Sequence, residues 1–468
     1  MISPALLKLC APALIVPVTD LFNYWIWSGT FPEDLKKSVI IPVFKKGDPM
    51  SRENYRPISL LPALAKLFEI SLLQQLEKYF EQFFPADMFG FRKGLGCEHA
   101  LLELTEQCRK DLDSKQHSLL LSLDLSKAFD TVNHRLLLEK LKAYGLDASA
   151  LSLLEHYLRH RTQCTRVEGN LSTEKEVRSG VPQGSVIGPF LFNIFVADLS
   201  LALDCFIVRY ADDTTLLLSG ITAAELQIKA KVNLEKAAAW FYENYLLNNK
   251  DKVQMLLCGR CESEEWKDFT LEIDGVTISP GKNLRLLGVI LDPFLSFNDH
   301  ISMTLRKTGN ALRLARGVKN MLSTGERMLT LNAYVLPHLL FCCALLSGIN
   351  KTQATRVQRL INIAKHSMKI ENFHFSFLDR CEKRSILLLH QAIHTGTPQN
   401  FTAGIHLSRG NYLMRGAPRI LLPPARTNMM KHSVSFIASK LWNGLPAEAA
   451  KQKTTPKVAP LKSYLEKW

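Results

Sequence analysis

A chain of 468 residues with 47% hydrophobic and 22% charged residues has the make-up of a folded protein of more than one domain, able to bury a full core. Its 10 cysteines are scattered, which excludes a disulfide-stapled scaffold and fits a reducing, intracellular setting. The net charge of +14 is divided unequally: residues 293–468 hold 25 Lys+Arg against 7 Asp+Glu, whereas residues 1–292 hold 33 against 37. A basic half beside a slightly acidic half suits a polyanion bound by one and metal ions held by the other; the alternative is a solvated basic surface.

In chain order, residues 9–18 are apolar behind Lys8, interrupted by Pro12 and Pro17 and ended by Thr19 and Asp20. They fall well short of the ~20 residues a membrane span needs, so the stretch reads as a buried leader helix, with a secretory signal as the alternative. A turn from Phe31 leads into the strand SVIIPVF, which ends in the basic cluster Lys45-Lys46-Gly47-Asp48. Apolar residues at helical spacing (Leu64, Leu67, Phe68, Leu72, Leu76, Phe80) predict an amphipathic helix over 60–84, and a second is expected over 98–112. The nearly unbroken apolar run SLLLSLDL, residues 118–125, fits a strand buried on both faces. Helices follow at 134–144 and 148–158, a turn and apolar helix over 182–199, a strand–turn–strand over 206–218, a long helix over 223–247, and short strands at 254–258 and 284–291. Past Pro293 the pattern is helical and basic, with helices expected at 298–320 and 351–370. Gly and Pro thicken from 395 to 426, a last helix is expected at 433–442, and Pro456 and Pro460 suggest a loose tail. The expected organisation is a leader (1–30), an α+β catalytic body (31–292), a helical basic domain (293–394) and a partly irregular extension (395–468).

Tyr210-Ala211-Asp212-Asp213 lies between the apolar runs 206–208 and 216–218, so both Asp sit in a hairpin turn. Asp is a common turn residue, and alone the pair reads as structural. Asp124 changes the balance, because an ionised carboxylate at the end of a buried strand is costly unless paired or bound to metal. If the strands are neighbours, Asp124, Asp212 and Asp213 converge, and their repulsion raises a pKa or calls for cations. Two ions ~4 Å apart form the clamp used for in-line phosphoryl displacement, and oxygen ligands favour Mg²⁺ or Mn²⁺ over zinc. Cys258 and Cys261 form a lone C-x-x-C without the further ligands of a structural zinc site.

Six blocks in order carry a resemblance. They are Asn54-Tyr55-Arg56-Pro57-Ile58-Ser59-Leu60-Leu61 with Lys66 and Glu69; Phe89-Gly90-Phe91-Arg92-Lys93-Gly94; Leu123-Asp124-Leu125-Ser126-Lys127-Ala128-Phe129-Asp130-Thr131-Val132; Gly180-Val181-Pro182-Gln183-Gly184-Ser185; Tyr210 to Thr214; and Leu287-Gly288-Val289. Together they resemble the reverse transcriptases of non-LTR retrotransposons (LINE-type), in the CR1/jockey-like branch, over about residues 1–300 and more loosely into Arg426-Thr427 and Leu441-Trp442-Asn443-Gly444-Leu445-Pro446. The resemblance implies a right-hand polymerase with fingers, a palm antiparallel sheet packed on helices, and a helical thumb. It implies RNA-directed DNA polymerase (nucleotidyltransferase) activity with an RNA template, a DNA primer, dNTPs and two Mg²⁺ ions, for which Mn²⁺ can substitute. No membrane and no specific protein partner is implied, and work in the nucleus is expected.

Roles follow from the same likeness. Asp124 and Asp212 match the metal ligands, with Asp213 beside them. Phe129 matches the aromatic that excludes a ribose 2′-hydroxyl, and Gln183 a contact to the incoming nucleotide or template, next to Gly184, which lacks a Cβ and so permits close approach. Arg56 and Arg92 match fingers positions that bind phosphate, a surface salt bridge being the alternative. Lys252 fits a lysine able to protonate departing pyrophosphate, although Asn248 and Val253 depart from the family pattern and Lys250 is the competing alignment. Gly96-Cys97 stands where relatives often have Ser-Thr. The basic helices past Pro293 correspond to the thumb, where Arg306, Lys307, Arg313 and Arg316 are candidates to grip an A-form hybrid through its phosphates. No endonuclease or zinc knuckle is expected in this chain, and the competing reading is a non-catalytic nucleic-acid-binding relic.

Overall fold

The computed structural model describes residues 2–249, 252–261, 263–273, 275–371, 373–407, 419–446 and 457–467. Helix α1 (Ala11–Ser28) precedes strands β1 (Lys37–Phe44) and β2 (Tyr55–Leu60), helices α2 (Ala63–Phe80) and α3 (Cys97–Asp113), and strand β3 (His117–Ser126). Helices α4 (His134–Ala143) and α5 (Ala148–Leu158), strand β4 (Arg161–Val167), helix α6 (Gly188–Val196), and strands β5 (Phe206–Tyr210) and β6 (Asp213–Gly220) follow. Next come helix α7 (Ala223–Glu243) and strands β7 (Leu247–Asn248), β8 (Gln254–Cys258), β9 (Leu284–Leu286) and β10 (Val289–Leu291). Side-chain N-caps fix several starts: Asn133 for α4, Asp147 for α5 and Thr222 for α7 each accept a backbone N–H of the first turn.

The central sheet has the order β8–β3–β6–β5, antiparallel throughout. Its unbroken apolar strand has a simple cause: both faces are covered. Leu119, Leu121 and Leu123 join a core with Phe190 and Phe192 of α6 and Leu226 and Ala230 of α7, whereas Leu120 joins one with Leu101 and Leu104 of α3. The expected α+β plan, an antiparallel sheet packed on helices, is what the chain forms. A second sheet sets β1 antiparallel to β2 and parallel to β4. Strand β4, Arg-Thr-Gln-Cys-Thr-Arg-Val, is mostly polar and carries no apolar alternation that would mark it in the sequence. The single strand expected at 284–291 is a hairpin, because Leu287 and Gly288 take left-handed φ of 47° and 88°.

The basic half contains α8 (Asn298–Val318), α9 (Lys351–Ser367) and α10 (Phe377–Thr395), followed by the shorter α11 (Gln399–Ala403), α12 (Asn428–Lys431), α13 (Val434–Gly444) and α14 (Val458–Lys467). Two expectations need correction. The leader is a helix but not a buried one: Trp25 alone of α1 is buried, against Phe31 and Phe68, and Trp27 is 81% exposed. One face packs, with Phe22 and Ile26 half-buried beside Trp25, but apolar residues also occupy the other side, where Ile15, Val16 and Trp27 stay exposed. The tail is also more ordered than its composition suggests, since Pro460 sits in the first turn of α14, where a missing N–H costs nothing; Pro456 lies outside the described residues. Among the described residues no helix is long and apolar enough to cross a membrane.

The extension is tied down by α3. The Glu103 carboxylate accepts from the backbone N–H of Asn400 (2.8 Å) and Phe401 (3.1 Å) at the start of α11. Glu106 accepts from Val434 (2.8 Å) and Ser435 (3.2 Å) at the start of α13, and Asp113 accepts from Thr427 (2.7 Å) ahead of α12. Carboxylates at helix starts satisfy orphan donors and meet the positive end of the helix dipole. One palm helix thus caps three elements that lie about 300 residues further along the chain.

Candidate active site

Strands β3 and β6 pair so that Asp124 stands directly opposite Asp213. The β5–β6 connection is a two-residue turn in which Ala211 takes a φ of 57°, leaving Asp212 at the tip beside Asp213. Gly90 makes that turn possible, because a Cβ there would lie 2.3 Å from the Ala211 nitrogen. The loop around Gly90 is itself pinned: Asn193 Nδ2 donates to the Gly90 oxygen at 2.9 Å, and Phe89 N–H donates to the Arg209 oxygen at 2.8 Å.

The three carboxylates act on one another. Burial, then the charges of Asp212 and Asp124, push the Asp213 carboxyl up to about 6. Asp212 is also raised, chiefly by burial and further by Asp124, while Lys45 and Arg56 pull it down. The exposed Arg56 on β2 therefore faces the acidic turn, as does Lys45. Lys45 stood in a noted basic cluster but was given no role, because nothing local to β1 says that its end overhangs the β5–β6 turn.

Lys252 reaches the same place. Asn249 N–H donates to the Asp124 oxygen at 2.8 Å, continuing the β7–β3 pairing, and this brings Lys252 Nζ to 2.8 Å from Asp124 Oδ2. Lys250, the competing alignment, lies outside the described residues. Among the described residues no three His, Cys, Asp or Glu side chains close around one point as a ready-made metal cage. Mg²⁺ does not require one, since it is usually held by one or two carboxylates together with waters and substrate phosphates. Two mutually repelling carboxylates on adjacent strands, one of them balanced by an ammonium, are a donor set that fits such an ion.

Phe129 lies on the loop after β3, stacked on Phe192 at 4.6 Å between centroids and edge-on to Phe91 at 6.0 Å. Gln183 is held at both ends: its backbone oxygen accepts from Ser59 N–H of β2 at 2.7 Å, and its Nε2 donates to Asp130 Oδ1 at 2.9 Å. The loop after Gln183 is anchored by Glu69, a buried carboxylate that accepts from Val186 N–H at 2.6 Å and Tyr157 Oη at 2.8 Å. Glu69 entered the sequence reading only as part of a motif.

The Arg92 guanidinium is buried, paired with Glu81 at 2.7 Å, and donates to the backbone oxygens of Pro85 (3.1 Å) and Met88 (3.2 Å). It holds the loop together, which is the salt-bridge alternative given for it from the sequence. Arg306, Lys307, Arg313 and Arg316 are all exposed on α8, opposite the buried Ile301, Thr304, Thr308, Leu312 and Ala315. Cys261 Sγ lies 3.4 Å from His117 Nδ1, and neither it nor Cys258 belongs to a metal-sized group among the described residues.

Residues 43–291 match the family model described as "Reverse transcriptase (RNA-dependent DNA polymerase)". The probable RNA-directed DNA polymerase from transposon BS of Drosophila melanogaster is 30% identical over 331 residues, covering 68% of this chain and 36% of that protein. The RNA-directed DNA polymerase from mobile element jockey of Drosophila funebris is 28% identical over 360 residues, 73% of this chain and 38% of that protein. The probable polymerase from transposon X-element of Drosophila melanogaster is 31% identical over 311 residues, 64% of this chain and 33% of that protein. The chain thus spans about a third of the length of the curated relatives it matches. Family model, relatives and block order agree: the chain belongs to the reverse transcriptases of non-LTR retrotransposons.

Proposed function

We propose that the chain is an RNA-directed DNA polymerase that adds dNTPs to a DNA primer 3′-hydroxyl on an RNA template, with Asp124 and Asp212 holding two Mg²⁺ ions. One observation carries this reading: Asp124 stands opposite Asp213 on the adjacent strand, and its charge adds to burial in raising the proton affinity of Asp212 and Asp213, as expected of a place that favours cations. When bound, the ions lower the pKa of the attacking hydroxyl and offset charge on the leaving pyrophosphate.

The chain's own residues do the rest. Arg56 and Lys45 supply positive charge over the acidic turn, where a triphosphate is received. Phe129, braced by Phe192, presents a rigid ring where a ribose 2′-hydroxyl would clash. Lys252 sets its ammonium 2.8 Å from the Asp124 carboxylate, where it can donate a proton to departing pyrophosphate. The cations of α8 grip the hybrid, residues 31–292 act as fingers and palm and 293–394 as thumb, and the work is done in the nucleus. The relic reading is not favoured, since Asp124, Asp212 and Asp213 are all present at one strand pair. The test is extension by purified protein of a DNA oligonucleotide annealed to RNA, with dNTPs and Mg²⁺; absence of extension with either Mg²⁺ or Mn²⁺ refutes the proposal.

A further inference from the structure

Two loops carry the nucleotide-facing residues, and they are built as one body. Val181 N–H donates to the Phe129 oxygen and Gly180 N–H to the Val132 oxygen, both at 2.8 Å, and Ser179 Oγ donates to the Asp130 oxygen at 3.1 Å. The packing at Gly180 is so close that a Cβ would lie 2.7 Å from the Asp130 oxygen. On the other side a Cβ on Gly184 would lie 2.6 Å from the Ser59 oxygen of β2. The backbone of Gln183 is therefore fixed from the fingers and the palm together. Among the described residues its side chain has one hydrogen-bond partner, the carboxylate of Asp130. Asp130 and Gln183 border one cavity of about 370 Å³ with Pro57 and Ser59.

We propose that Asp130 is a positioning residue for nucleotide selection, acting by fixing which end of the Gln183 carboxamide faces the substrate. The argument is chemical. An ionised carboxylate can only accept, so the NH₂ end of the amide must turn to Asp130 and the carbonyl end must turn away. Without that partner the two ends of the amide are nearly equal in shape and can exchange. Burial raises the Asp130 carboxyl, while the Gln183 bond and the charge of Lys127 draw it back toward the ionised form. Ordering the amide in advance removes a cost that each incoming nucleotide would otherwise meet.

The inference rests on the polymerase reading, and its test separates the two. Single-nucleotide insertion on an RNA template is measured for the wild type, Asp130→Ala, Gln183→Ala, the double variant and Asp130→Asn, alongside the thermal midpoint of each. Asp130→Ala and Gln183→Ala are each expected to raise the KM for dNTP roughly tenfold with kcat little changed, the scale of one charge-assisted hydrogen bond. The double variant is expected to be no worse than Gln183→Ala alone, because Asp130 acts through Gln183. Asp130→Asn keeps the shape and a bond but can donate as well as accept, so its midpoint matches the wild type while its KM stays raised. Additive losses in the double variant, or a normal KM in Asp130→Asn, would overturn the inference while leaving the polymerase reading intact. A wild type that inserts nothing would sink both.

Discussion

Asp124 and Asp213 occupy opposite positions on neighbouring antiparallel strands, so two carboxylates that are 89 residues apart in sequence share one small volume. The folded protein raises the Asp213 carboxyl from 3.8 to about 6, and so binds a proton that the unfolded chain has released over that window. Stability contributed by this group is present below pH 4 and is lost as pH rises through about 6. Without metal, Asp213→Asn is therefore expected to stabilise the protein at pH 7, by on the order of 1–2 kcal/mol once partial solvation is discounted. Thermal midpoints at pH 4.5 and 7, with and without Mg²⁺, check this: the gain should shrink at the lower pH and on adding metal.

The stacked pair Phe129 and Phe192 predicts a sugar gate. Phe129→Val should admit ribonucleotides at least tenfold more readily relative to dNTPs, about 1.4 kcal/mol of lost discrimination. Insertion of rNTP and dNTP opposite one template base measures it, and an unchanged ratio removes the gate role.

Arg92 and Lys307 should behave as opposites. Arg92→Ala breaks a half-buried network and is expected to lower the thermal midpoint by a few degrees without altering the salt dependence of hybrid binding. Lys307→Glu, on the exposed face of α8, should leave stability alone and lower the slope of log affinity against log salt by about 1–2. Binding titrations at several salt concentrations separate the two.

Glu106 is one of three α3 carboxylates that attach the C-terminal extension. Glu106→Ala strands the N–H groups of Val434 and Ser435 and the Ser435 hydroxyl in a buried place, with an expected loss of about 3 kcal/mol. Denaturant titration reads it, and a loss below about 1 kcal/mol would mean that Glu106 does not contribute to holding the extension.

These cases mark what was legible in the sequence. Strand β3 announced itself because both its faces are buried, and the Asp212-Asp213 turn because apolar runs flank it. Strand β4 did not, because its residues are mostly polar and its partner β1 lies about 120 residues away. The order of the extension was hidden for a similar reason: its helix starts are satisfied from α3, and composition cannot reveal a cap supplied from a remote part of the chain. Asp124, Asp212, Phe129 and Gln183 could be named from motif order, whereas Lys45 and Asp130 act through neighbours that only the fold brings near. For Arg92 a motif gives a residue type and a position, but not that its guanidinium is already held by Glu81 and two backbone oxygens.

The central claim is that Asp124 and Asp212 jointly hold the ions on which catalysis depends. The most direct measurement is Mg²⁺- or Mn²⁺-dependent extension of a DNA primer on RNA by wild type, Asp124→Ala and Asp212→Ala, each first shown to fold and to bind the hybrid. Extension by the wild type and a loss of at least a thousandfold in each variant is the predicted result. Near-normal extension by either alanine variant would contradict it.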